Sequence, residues 1–136
     1  MDKLTIKQFC YDKYMDKECI RICNYLNSLP NIETSSSCCG HGKTSFMVCF
    51  KVLNNKGTSG LSFLGRCIDI RYGGNSSVQI RLGNTDTNYE HTCYVLTTTD
   101  LKGKEAYEAI EHLCNVMDEH LRNKNYLRAF NIVTYK

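Results

Sequence analysis

In Phe46-Met47-Val48-Cys49-Phe50-Lys51-Val52, the residues Phe46, Val48, Phe50 and Val52 fall on one side of an extended chain and Met47, Cys49 and Lys51 on the other. A period of two with bulky apolar side chains in one register is the mark of a strand with one buried face. On the N-terminal side lies Glu33-Thr34-Ser35-Ser36-Ser37-Cys38-Cys39-Gly40-His41-Gly42-Lys43, a polar run that reads as a loop into the strand. Before it, from Asp12 to Leu29, the residues Met15, Cys19, Ile22, Cys23, Leu26 and Leu29 recur at three- and four-residue steps, which makes one stripe of an amphipathic helix. Asp12 or Asp16 is the expected cap, and Pro30 ends the helix.

On the C-terminal side, Asn54 to Gly60 is turn chemistry, and Leu61 to Tyr72 reads as one strand or as two bent at Gly65. Gly73-Gly74-Asn75-Ser76-Ser77 then reverses the chain into Val78 to Leu82, which predicts a hairpin with Asp69 across from Arg81. Gly83 to Glu90 is a polar loop. His91 to Thr98 has the composition of a further strand. Asp100 or Thr99 is placed to cap a long helix whose stripe is Ala106, Ile110, Leu113, Cys114, Met117 and Leu121. His112 and His120 are expected on its solvated face. Leu127 to Tyr135 alternates again and reads as a last strand. The expected class is therefore α+β: a largely antiparallel sheet of four to six strands with two helices packed on one face.

The chain has 136 residues, 42% of them hydrophobic and 23% charged, which suits a single folded domain over residues 1–136. Seventeen Lys and Arg against fourteen Asp and Glu leave +3, too little for a protein that coats an extended nucleic acid. No apolar run has the length of a signal peptide or a membrane span, so neither a membrane nor an exported location is expected. Nine cysteines form an odd set without an export signal and read as reduced thiols that mostly fill the core. Cys38 and Cys39 sit in a different kind of segment.

That segment, Ser35 to Ser45, concentrates hydroxyls, thiols, an imidazole and an ammonium between glycines and is the candidate site. Gly42-Lys43-Thr44 matches the end of a phosphate loop, but Ser37 replaces the first glycine and a strand follows where the motif needs a helix. A looser reading remains, in which the glycine turn presents backbone N–H groups as an anion nest beside Lys43. As metal ligands, Cys38, Cys39 and His41, with Cys19 and Cys23, have the right atoms but too tight a spacing for a zinc knuckle, so no metal or other cofactor is expected. As a catalytic dyad, Cys38 or Cys39 with His41, His91 or His112 lacks any visible orienting group.

The stretch Thr34 to Lys43 followed by an alternating strand resembles a segment of small proteins from phages and prophages of low-GC Gram-positive bacteria. The resemblance implies the cytoplasm of a host bacterium as the location. By analogy of size, origin and class with other small phage proteins, a role against host defences is expected, as in oligomeric sponges that sequester nucleotide-derived signals. The expected function is accordingly non-catalytic capture of a small phosphate-bearing ligand by a homo-oligomer. Ser37, Cys39, Gly40, His41, Gly42 and Lys43 would hold the ligand, with Arg66, Arg71 and Arg81 as further anion donors and Tyr72 as a stacking surface; Tyr89 and Tyr94 are alternatives for that last role. The rival partner is a host defence protein, bound through a sheet edge or the acidic face of the long helix.

Overall fold

A computed structural model describes residues 15–53, 59–83 and 91–123. The expected last strand, both polar loops at 54–58 and 84–90, Cys10 and Tyr89 lie outside these residues. Four strands, β1 (Ile32–Cys38), β2 (Ser45–Leu53), β3 (Gln79–Leu82) and β4 (His91–Lys102), form an antiparallel sheet in the order β1-β2-β4-β3. Among the described residues three helices accompany it: α1 (Lys17–Asn27), α2 (Ser59–Ile68) and α3 (Gly103–Leu121). The class is α+β, with one helix more than the sequence suggested.

The alternation in β2 behaves as expected. Phe46, Val48, Phe50 and Val52 are buried, whereas Met47 is exposed and Cys49 and Lys51 are half-buried. Leu96 of β4 and Ile80 of β3 continue the inner face, since Val48 pairs with Leu96 and Leu96 with Ile80. Tyr94 stacks on Phe50 at 5.8 Å between centroids. Helices α1 and α3 lie against this inner face and against each other, and α2 packs on α3. Cys19, Ile22, Cys23 and Leu26 of α1 and Ala106, Ile110, Leu113, Cys114, Met117 and Leu121 of α3 are buried in the same apolar cluster as β2. At the solvent edge of this contact, Arg21 pairs with Glu111 and donates to Asn115.

Two segments depart from the sequence reading. The first, Ile32 to Cys38, is a strand although it carries few apolar residues. Among the described residues it is a sheet edge, where polar side chains guard against pairing with other chains, and Asn27 fixes it to α1. The Asn27 amide donates to the Cys23 carbonyl and the Thr34 hydroxyl and accepts from the Thr34 N–H at 2.9 Å.

The second, Leu61 to Tyr72, is not a strand. Gly60, Phe63, Leu64 and Cys67 make a buried helical stripe along α2, and a short 3-10 turn at Ile70–Tyr72 follows. Gly60 is required there, because a Cβ would lie 2.1 Å from the Pro30 carbonyl oxygen. The expected hairpin and the Asp69–Arg81 pair therefore do not form. Asp69 instead accepts from the Arg71 N–H and pairs with its guanidinium at 2.7 Å.

Helix α3 also starts differently: β4 runs on to Lys102, and neither Thr99 nor Asp100 caps the helix. Thr99 adopts φ +44° where β4 bends, and Thr98 holds the bend by accepting from the Phe46 N–H and donating to the Leu101 carbonyl. His120 is buried rather than solvated, with Cys67 Sγ 3.4 Å from its Nδ1 and the Phe63 ring edge-on. His112 is exposed as expected and meets the Gly73 carbonyl oxygen.

Candidate functional site

The Cys38–Lys43 segment leaves β1, turns sharply and enters β2 beside the first turn of α3. Gly40, His41 and Gly42 all have positive φ, at +82°, +51° and +78°. This left-handed run is tolerated by glycine and strained for most other residues. Gly40 is further fixed by space, since a Cβ would meet the Ser45 carbonyl oxygen at 2.9 Å, while a Cβ on Gly42 would meet nothing within 4 Å.

The turn's backbone donors are directed inward. The Cys39 N–H donates to Asp16 Oδ2 at 3.0 Å, the Gly40 N–H to Cys38 Sγ and the His41 N–H to Cys39 Sγ, each at 3.4 Å, and the Lys43 and Thr44 N–H groups to the Gly40 carbonyl. These five N–H groups have acceptors within the chain, three of them the protein's own carboxylate and sulfurs and two the Gly40 carbonyl, rather than an external anion. Lys43 is exposed at its rim. Ser37 turns inward, where its hydroxyl meets the Cys19 thiol.

Asp16 is the residue that sequence reading did not place here. It occupies the N-cap position of α1, yet its side chain makes no cap hydrogen bond and reaches across to the turn instead. The Cys39 N–H is the main reason its carboxyl is held below the usual range. His41 completes the group: its Nε2 lies 3.8 Å from Asp16 Oδ2 and its Nδ1 3.8 Å from Cys39 Sγ. Cys39 is buried and also receives the Tyr107 hydroxyl at 3.6 Å. Desolvation raises its thiol above the ordinary value, which opposes thiolate formation.

The other expected ligand contacts lie elsewhere. Arg66 of α2 stacks over the Tyr72 ring at 4.0 Å, and Arg71, already paired with Asp69, lies 5.8 Å from the same ring. These three belong to one cluster on α2 and the turn after it, and the Cys38–Lys43 turn packs against α3 and β2. Arg81 stands on β3, which among the described strands is at the opposite end of the sheet from β1. Its guanidinium reaches Thr99 Oγ1 at 3.5 Å. The ten residues expected to form one site therefore fall into three places.

Arg81 instead lines a cleft on the sheet face turned away from α1 and α3. The cleft holds about 570 Å³, within the usual range for a small-molecule site. Met47, Cys49, Cys93 and Val95 make its floor, with the hydroxyls of Ser35 and Thr97 beside them. Leu82 and Met47 are exposed, and Lys51, opposite Cys93 in the register, continues the face. Period-two alternation assigns all the β2 members of this group to one face. The union with β3 was not readable, because the partner of β3 is β4 and not the segment before it.

No family model matches the chain, and comparisons with curated proteins and with solved structures give no match either. Among the described residues, no helix is long and apolar enough to cross a membrane.

Proposed function

We propose that the protein is a non-catalytic binding protein that captures a small phosphate-bearing ligand with a flat apolar part, such as a nucleotide-derived signal, in the cleft on the outer sheet face. The observation that carries this reading is the cleft's composition: an apolar floor of Met47, Cys49 and Val95, flanking hydroxyls, and one guanidinium, Arg81. A guanidinium matches phosphate geometry in a bidentate way, and an apolar floor suits a base. Among the described residues its lining is made of apolar side chains, hydroxyls, thiols and the Arg81 guanidinium, groups suited to holding a ligand. Met47 and Leu82, exposed at the cleft, are where a second protomer would close over the ligand. Sequestration of a host defence signal by a phage-type protein is the biological role that fits such a device.

Calorimetric titration with a panel of cyclic and linear nucleotides at fixed salt tests the reading. The protein is expected to bind at least one member. Arg81→Ala is expected to lose a charge-assisted hydrogen bond of about 1.5–3 kcal/mol, or about 10–150-fold in affinity. Lys43→Ala, on the turn, is expected to bind as the unaltered protein does. Absence of binding across the panel would refute the proposal and favour capture of a host protein through the edges β1 or β3.

A further inference from the structure

The geometry points to a second site, independent of the cleft: a transition-metal site for zinc, formed by Asp16, Cys38 and His41. One ligand atom from each of these side chains lies within 4.8 Å of the other two. In a tetrahedral zinc site with bonds of about 2.0–2.3 Å, ligand atoms stand roughly 3.3–3.8 Å apart. The three groups are therefore within a small side-chain rotation of closing on one ion. The sequence spacing of Cys38, Cys39 and His41 argues against a metal only if both cysteines must be ligands. The fold supplies a carboxylate from the start of α1 instead and assigns Cys39 another part.

Two of the three groups accept a backbone N–H that orients them, and the third has a sulfur beside its other ring nitrogen. The Asp16 carboxylate accepts from the Cys39 N–H at 3.0 Å, which orients it toward the turn rather than toward its own helix. Cys38 Sγ accepts from the Gly40 N–H at 3.4 Å, a bond that strengthens when the sulfur is a thiolate. His41 Nδ1 faces Cys39 Sγ at 3.8 Å and Nε2 faces Asp16. A proton on Nδ1 directed at Cys39 leaves the Nε2 lone pair for the ion. Cys39 is thus a positioning residue, itself anchored by Tyr107.

The donor set selects the metal. A thiolate, an imidazole and a carboxylate suit zinc and its cobalt substitute, while magnesium and calcium require oxygen ligands throughout. The His41 side chain is 66% exposed, so solvent reaches the fourth position. Three protein ligands and one solvent molecule make an open site rather than a closed structural one.

The test uses the full chain, dialysed against chelator under reducing conditions and then titrated with zinc against a chromophoric chelator, and in parallel with cobalt while the thiolate-to-cobalt absorption is recorded. One equivalent of each metal is expected to bind, with the cobalt complex showing thiolate coordination. Cys38→Ser and His41→Asn are each expected to weaken binding beyond the roughly 10–100-fold that loss of an outer partner costs. Asn tolerates positive φ, so His41→Asn removes the imidazole while keeping the turn, and it decides the matter even if Cys38→Ser fails to fold. His112→Gln, which removes an exposed imidazole on α3, is expected to change nothing. Absence of stoichiometric binding, or equal affinity in the unaltered protein and in His41→Asn, would overturn the inference.

Discussion

Replacing Gly40 and Gly42 separately by Ala tests whether the turn is held by space or only by backbone conformation. Both glycines have φ near +80°, so each substitution places a Cβ in the left-handed region at a cost of about 1–2 kcal/mol. Loss of glycine's freedom in the unfolded chain offsets about 0.4–1 kcal/mol of that. For Gly42→Ala nothing else is added, because the new methyl meets no atom within 4 Å; the net loss is about 1 kcal/mol. For Gly40→Ala the methyl would sit 2.9 Å from the Ser45 carbonyl oxygen and 3.0 Å from the Thr44 hydroxyl. Backbone at the start of β2 must then shift, adding about 1–3 kcal/mol as overpacking does. Thermal unfolding followed by circular dichroism, with reductant and at one pH, reads the difference. At about 3–5 °C per kcal/mol for a chain of this length, Gly42→Ala is expected to lower Tm by a few degrees and Gly40→Ala by about 6–20 °C. Equal shifts would refute the close approach of Gly40 to Ser45, and with it the placement of the turn.

Further predictions concern the interior. Burial holds the His120 imidazole below its ordinary pKa, with Arg66 acting in the same direction and Glu119 and the Tyr72 carbonyl opposing. The unfolded chain then binds more protons than the folded one as pH falls below about 6.5. Stability is complete above that pH and is lost on acidification, and urea titrations from pH 7.5 to 5 are expected to show a fall that His120→Gln flattens; a rise in stability with acidification would be the contrary result. Asn27→Ala removes the amide that joins α1 to β1 and leaves the Thr34 N–H without its acceptor, and equilibrium unfolding is expected to show a loss of about 2–4 kcal/mol. The eight described cysteines are free thiols, and thiol titration in denaturant is expected to recover nine per chain, Cys10 included; five or fewer would contradict the reduced state.

Periodicity made the interior legible where one face is buried and the other wet. In β2, α1 and α3 the apolar stripes named from sequence are the ones that meet in the core. The same test existed in α2, where Gly60, Phe63, Leu64 and Cys67 follow helical spacing. Gly60, Gly65 and the β-branched and aromatic residues at Ile68, Ile70 and Tyr72 masked it, because local propensity there favours strands and bends while burial against α3 favours a helix. Strand β1 was hidden for the opposite reason: an edge with an exposed face needs few apolar residues, so Thr34-Ser35-Ser36-Ser37 looks like a loop. The unusual turn at Cys38–Lys43 was recognisable from composition, but its carboxylate was not. Asp16 is far off in sequence and resembles an ordinary helix cap, and only the fold shows that its side chain serves Cys39 instead.

The claim that the outer sheet face captures a small phosphate-bearing ligand is tested most directly by native mass spectrometry of the full chain, kept reduced and mixed with the nucleotide panel, with Arg81→Ala beside it. An assembly of more than one protomer is expected to retain the mass of a panel member, released on denaturation and absent from Arg81→Ala. Polypeptide masses alone, or polypeptide with zinc and no organic ligand, would contradict it.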